Sequence, residues 1–381
     1  MAAAPLLISP VETAEDRDAF LRVPWAIFRE DKHWVPPLLT ERRDHLNPRK
    51  NPFFDYSEVK LWLARRGPAP VGRISAQINH AHLKQHDDAT GHFGFLDAED
   101  NAETFQALLS AAQGWLREKG MRRATGPFSL SINDEAGLLV EGFDTPPSIM
   151  MGHALPYYSN RIMEAGYIKA KDLICYRYTT DTENFPNIDG FLKRAKQIDG
   201  LVIRHLDMCR YRTELDNIIE IFNDAWSDNW GFVPMSDSEI RNMAKMLRPL
   251  VTPRHFAIAE LKGQPVAMVV TLPNVNEAIA DLDGRLLPFG WAKLLWRVKV
   301  KAIKSVRMPL MGVRKEYQGG LTGAVLAFSV IDAVRTAQIQ TGVEMAELSW
   351  ILEDNLPVRH MIEKGGGVAY KTYRIYERAL L

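Results

Sequence analysis

Two stretches of this chain, 195 positions apart, follow one plan. Residues 59–79, VKLWLARRGPAPVGRISAQIN, alternate apolar and polar positions on either side of a Gly-Pro turn. Residues 254–276, RHFAIAELKGQPVAMVVTLPNVN, repeat the strand, turn and strand. Ala64 corresponds to Ala259, Pro70-Val71 to Pro265-Val266 and Asn79 to Asn274. A second pair follows in the same order. Leu155-Pro156 with Glu164-Ala-Gly166 matches Leu356-Pro357 with Glu363-Lys-Gly365, and each leads into a Tyr-rich strand, residues 175–178 and 373–376. Two matches in one order predict tandem copies of a single α/β unit with mixed sheets. We place the first copy at residues 1–185 and the second at 186–381, dividing in the turn-rich, polar stretch Thr-Thr-Asp-Thr-Glu-Asn-Phe-Pro.

The chain of 381 residues is long enough for two sizeable cores. Its 47 basic and 47 acidic residues cancel, so no global field points to nucleic acid, and we expect no nucleic-acid partner. Two cysteines rule out a disulfide framework and suit a reducing compartment. No apolar run approaches the roughly 18 residues of a membrane span, and residues 1–9 lack the features of a signal peptide. The expectation is a soluble cytoplasmic protein, or one peripheral on the inner membrane.

The copies differ in two places. In the second, an apolar strand ending at Val313 runs into a glycine-containing loop, and a helix opens near Thr322. Gly319, Gly320 and Gly323 let backbone amides turn toward one point at a helix N-terminus, an arrangement that accepts a phosphate or pyrophosphate. The first copy has Asp97, Glu99, Asp100 and Glu103 at that place, which would repel a diphosphate. We expect one anion site per chain, in the second copy. The second difference is length. Val71 to His92 is 21 positions, whereas Val266 to Met311 is 45. The extra residues include 284–307, with seven Lys or Arg and no acid. Drawn as a helix from residue 291, Trp291, Leu295, Val298 and Ala302 share one side and Lys293, Arg297, Lys301 and Lys304 another. Such a segment suits an anionic membrane surface or the entrance for an acyl chain, or else packs on the core with a solvated basic face.

At these residues the chain resembles the GCN5-related N-acetyltransferase (GNAT) superfamily, in tandem. Its loop pattern, Arg/Gln-x-x-Gly-x-Gly/Ala, is met by Gln318-Gly-Gly-Leu-Thr-Gly323, with Leu321 in place of a glycine. The later Asn-x-x-Ala and Glu-Lys-x-Gly region is similar to Glu353-Asp-Asn355 and Glu363-Lys-Gly-Gly366, and the superfamily's frequent tyrosine falls at Ile362. More narrowly, residues 222–234, 126–133, 137–144 and 290–296 look like the tandem proteins of the bacterial ceramide synthase family. The resemblance implies acyl-CoA as co-substrate, no metal, and N-acyl transfer to an amine, with a long-chain sphingoid base preferred. It implies donor contacts at Gly312, Val313, Gln318, Gly319, Gly320, Leu321, Thr322, Gly323, Ala324 and Asn355, with amides near Gly312–Val313 holding the oxyanion.

An amine must lose a proton before it attacks, so a carboxylate or relay water is required nearby. Glu353 is the preferred base, beside Asp354, with Asp224 and Asp228 as rivals. Asn133, Asp134, Glu135, Tyr157, Tyr158, Trp226, Trp230 and Trp291 are candidates for the acceptor. His80, His82 and His86 are read as a solvated loop rather than metal ligands. The alternatives are transfer to another amine, including aminoacyl transfer from an aminoacyl-tRNA, and a non-catalytic ligand-binding protein.

Overall fold

The computed structural model describes residues 4–180, 188–301 and 303–380, so the 185/186 boundary of the sequence repeat lies outside the described residues. The strands are β1 (Leu6–Pro10), β2 (Ser57–Arg66), β3 (Ala69–Asn79), β4 (Thr90–Ala98), β5 (Arg123–Gly126), β6 (Leu138–Glu141), β7 (Ile168–Thr179), β8 (Leu201–Arg204), β9 (Phe256–Leu261), β10 (Gln264–Pro273), β11 (Ser305–Val313), β12 (Met345–Leu352) and β13 (Val368–Ala379). The helices are α1 (Ala14–Ile27), α2 (Leu39–His45), α3 (His80–His86), α4 (Ala102–Glu118), α5 (Tyr157–Glu164), α6 (Asp189–Ala195), α7 (Tyr211–Trp226), α8 (Asp237–Leu247), α9 (Asn276–Ile279), α10 (Gly290–Trp296), α11 (Leu321–Gln340) and α12 (Leu356–Lys364). The fold is α/β with mixed strand pairing, as the sequence predicts.

Two compact units form. One takes the chain before Cys175, the segment Ile279–Pro288 and the chain from Lys371; the other takes the described residues from Cys175 to Ala278 and from Phe289 to Tyr370. Within the first, β1 to β4 are antiparallel, β5 is parallel to β4, and the end of β13 pairs with β5 and β6. Its core gathers Phe20, Leu21, Val23, Phe53, Leu63, Phe95 and Leu130. Within the second, β8 to β11 are antiparallel, β12 is parallel to β11, and the end of β7 neighbours β12. Each unit therefore takes a strand from the other sequence half.

Period-two alternation decides which helix covers which face of the second sheet. Val313 packs with Leu326 and Val330 of α11. A Cβ at its neighbour Gly312 would stand 3.2 Å from Ala225 of α7. The helices α11 and α7 thus lie on opposite faces, and the absence of a side chain at Gly312 lets α7 approach β11.

The histidines of 80–86 depart from the expected loop. Asn79 caps a short helix, and His82 is buried at 7% exposure, its ring centroid 4.5 Å from that of His86 and 4.7 Å from that of His92. Among the described residues no group of three or more His, Cys, Asp or Glu is placed to hold a metal ion. No helix there is long and apolar enough to cross a membrane.

Candidate active site

The parallel pairing of β11 with β12 runs from Ser305–Met345 to Met308–Leu348 and stops, though both strands continue. Proline causes this. On the other edge of β11, Arg307 pairs with Leu272 and Leu310 with Val270, so Met308 and Pro309 together oppose Thr271 in a bulge. Pro309 has no N–H to give a ladder, and a bulge is where a sheet tolerates proline. Beyond it β11 leaves β12 and a gap opens.

Hydrogen bonds fix which amides face that gap. Arg314 N–H donates to the Val266 carbonyl at 2.8 Å, and Gly312 is paired with Met268, so these residues face β10. The Met311 carbonyl accepts from the Trp226 indole at 3.0 Å and the Val313 carbonyl from the Gln318 amide at 2.7 Å. In an antiparallel strand a residue's N–H and C=O share one side. The Met311 and Val313 amides therefore point into the gap, and the Gly312 amide does not.

The loop after β11 is tied to α7. Arg314 bonds the Pro265 carbonyl and Glu220. Asp224 accepts the Lys315 backbone N–H at 2.7 Å, and Asp228 pairs with the Lys315 ammonium at 2.6 Å. Both aspartates anchor the loop, so their carboxylates are committed to Lys315. Gly319 has φ +75°, and a Cβ at Gly323 would stand 2.3 Å from the Tyr317 carbonyl. Leu321 is exposed.

The helix starts of the two copies differ sharply. Asn101 caps α4 with its own side chain, accepting from Glu103 and Thr104 N–H, while Arg73, Arg66 and Arg161 engage Asp97, Glu99, Glu103 and Asp100. Gly320 caps α11 with no side-chain bond. The first amides of α11, at Leu321, Thr322 and Gly323, keep no side-chain partner from the cap, and Ala324 N–H bonds the Gly320 carbonyl.

At the end of β12, Glu353 and Asp354 form a turn and Asn355 caps α12, its side chain accepting from Val358 N–H at 3.4 Å. Arg359 holds the Glu353 carbonyl at 2.8 Å. Trp226 contacts Trp350 of β12 edge-on, with centroids 6.1 Å apart, so one indole touches both parted strands. Trp230 lies half-buried beyond α7.

The second unit also holds a buried polar cluster outside the sequence-derived candidates. Glu347 is fully buried (0%) on the face away from α11, accepting from Ser349 at 2.6 Å and from the Tyr370 hydroxyl, with the Arg307 guanidinium 3.8 Å away. Its signal was one acid inside the otherwise apolar strand MAELSWIL.

Five other candidates belong to the first unit. Asp134 accepts from the Ser131 hydroxyl at 3.0 Å. Tyr158 is fully buried among Phe28, Phe105 and Tyr157, and presents no surface to a ligand. Tyr157 donates to the Ala98 carbonyl. Glu135 pairs with Arg42 at 2.8 Å; burial alone would raise its carboxyl, and Arg42 brings it below the usual range. Asn133 bonds Ser131 through its backbone.

The basic insert forms α10 and a wider turn, Arg297–Lys301. The sides are not those of the helical drawing. Leu294, Arg297 and Val298 are the half-buried ones, and Arg297 reaches the Ala278 carbonyl at 2.8 Å. Trp291 and Leu295 face solvent with Phe289, Trp296 and Val300, at 49–77% exposure. Core packing of that apolar side is excluded.

No family model matches the chain. It is 48% identical over 378 residues to a Caulobacter vibrioides protein named bacterial ceramide synthase, covering 99% of this chain and 98% of that one. It is 43% identical over 366 residues to Escherichia coli protein YghO, covering 96% and 93%. Among solved structures, a tandem GNAT protein from the clavulanic acid biosynthesis pathway superposes with a TM-score of 0.58 at 12% identity, covering 99% of each chain, a likeness of fold.

Proposed function

Because this chain belongs to the tandem GNAT acyltransferase family that includes bacterial ceramide synthase, and is an acyltransferase enzyme, we propose that it moves a fatty-acyl group from acyl-CoA to the amine of a long-chain sphingoid base. The observation that carries this reading is the gap between β11 and β12 beside the α11 start, which is capped by Gly320 alone. The donor's pyrophosphate would sit on the Leu321, Thr322 and Gly323 amides, where the helix dipole also favours an anion. Its thioester would then lie along the gap, with the Val313 amide toward the oxyanion. The amine nitrogen attacks the thioester carbon, the C–S bond breaks, the thiolate leaves, and the amine proton passes to a carboxylate. Glu353 is assigned that proton, with Glu347 behind Tyr370 as the alternative route.

The long-chain acceptor is supported by the relative's name and by the exposed apolar and basic surface of residues 289–301. That surface fits an anionic membrane, since each basic residue near such a surface contributes about 1 kcal/mol. Changing exposed Lys299 and Lys301 to Gln should reduce co-sedimentation with anionic liposomes at low salt; equal sedimentation would end the membrane reading. The function itself is tested by lipid profiling of a strain lacking the gene. N-acylated long-chain bases should fall and free bases rise, and an unchanged profile would count against it.

A further inference from the structure

The second unit holds a cavity of about 100 Å³ between the sheet and its two C-terminal helices. We propose that it receives the hydrocarbon end of an unbranched lipid chain, an inference that rests on the acyl-transfer reading above.

Its floor is Val306 and Met308 of β11 with Ala346 and Leu348 of β12, the last rungs before the strands part. Phe328 of α11 and Ile362 of α12 stand among its walls. The polar groups at its edge are already engaged. Arg335 Nε donates to the Tyr178 hydroxyl at 3.0 Å, and Gln338 Nε2 to the Arg254 carbonyl at 2.9 Å. Thr271 donates to the His255 carbonyl at 3.0 Å and Thr180 to the Glu344 carbonyl at 3.2 Å. A buried water needs roughly two to four polar partners, and these walls offer few. An apolar cavity of comparable size, about 150 Å³, stays dry and takes up benzene. The space therefore suits a few methylenes and rejects a charged or hydroxylated group. Met308 and Met361, flexible thioethers in the lining, let it lengthen without breaking a hydrogen bond.

Position fits the same ligand. The floor ends at the rung where the gap begins, so a chain leaving the gap on the α11 face enters this space directly. The acyl donor and the amine of the reading above both carry such a chain; the chemistry recognised is the same, and the experiment separates them.

The test fills the cavity. Ala346→Leu places three carbons into empty space, and Ile331→Phe fills it from α11. Transfer is measured along two series, acyl-CoA from two to eighteen carbons with one amine, and alkyl amines of rising length with one acyl-CoA. Each buried methylene is worth about fourfold in affinity. The expected result is at least a tenfold loss of kcat/KM for the longest chains in one series, unchanged activity on the shortest, and a Tm no lower than the parent's for Ala346→Leu. The series affected identifies the source of the chain. Unchanged profiles in both series for a folded variant overturn the proposal. Direct binding of cis-parinaric acid provides a readout independent of catalysis. Binding by the parent that is lost in Ala346→Leu upholds the cavity assignment even if no transfer is found, and no binding by the parent overturns it.

Discussion

Trp226 on α7 and Met311 on β11 are joined by an indole N–H to carbonyl hydrogen bond of 3.0 Å, on the edge of β11 that has lost its strand neighbour. The indole supplies what the missing ladder cannot, and its ring also meets Phe222 and Trp350. Trp226→Phe keeps most of the packing and removes the donor, so stability should fall by about 1 kcal/mol. Trp226→Ala loses the ring contacts too and should cost about 3–5 kcal/mol. Urea unfolding curves check both values; equal costs would mean that the hydrogen bond, not the ring, dominates.

Gly320→Asp separates folding from donor binding. Gly320 has φ −130° and ψ 179°, open to any residue, and no atom lies within 4 Å of a Cβ there. An aspartate is a better helix cap than glycine by a few tenths of a kcal/mol and complements the dipole. It would also consume the amides offered to a diphosphate and repel its charge. CoA affinity by calorimetry should fall at least tenfold while Tm holds or rises. Normal CoA binding by this variant would move the donor elsewhere.

Glu353 and Glu347 predict different phenotypes. Glu353 sits in a half-exposed turn, so Glu353→Gln should change stability by no more than about 0.5 kcal/mol. If it takes the amine proton, transfer should slow by about 100- to 10,000-fold. Glu347→Gln leaves Arg307 without its buried partner and should cost on the order of 3 kcal/mol. A Glu353→Gln enzyme slowed less than tenfold across the pH range, with a Tyr370→Phe enzyme slowed far more, would assign the proton to the Tyr370–Glu347 route.

Acid should weaken the first unit. Burial holds the His92 imidazole well below its ordinary range, with His82 and His86 adding repulsion and Asp88 opposing; burial likewise lowers His82. Both therefore bind a proton less readily when folded than when unfolded, where an imidazole titrates at about pH 6.5. The unfolded chain then binds more protons below pH 6.5, so stability falls as pH falls, by up to about 1.4 kcal/mol per pH unit for each group until the folded pKa is reached. Melts at pH 7.5, 6.5 and 5.5 should show this slope, and His92→Gln should flatten it. An identical slope in the variant would place the acid sensitivity elsewhere.

Much of the fold was legible because its elements follow periodicity and turn chemistry. Val313 ending a strand, the glycines after it and the helix opening at Leu321 stand where the sequence predicts. The rest depended on tertiary facts. The helix at His80–His86 has no apolar period of its own and forms because Asn79 caps it and His82 packs against His92. The orientation of the Met311, Gly312 and Val313 amides turns on the bulge at Pro309, which shifts the register by one. Glu347 became visible as a site candidate only once Ser349, Tyr370 and Arg307 were seen around it. The exposed surface of α10 departs from the helical drawing because Arg297 finds the Ala278 carbonyl and turns inward with Leu294 and Val298, while Lys293 and Lys301 stay exposed.

Acyl transfer from CoA to a long-chain amine is the reaction proposed for this chain. Its most direct test incubates the purified chain with palmitoyl-CoA and, in parallel, sphinganine or a short amine such as ethanolamine, and follows CoA release and amide mass together. The expected result is N-palmitoyl sphinganine with one CoA released per amide, a kcat/KM for sphinganine at least 100-fold above that for ethanolamine, and loss of both signals in Gly320→Asp. CoA release without amide, or equal use of the two amines, would contradict it.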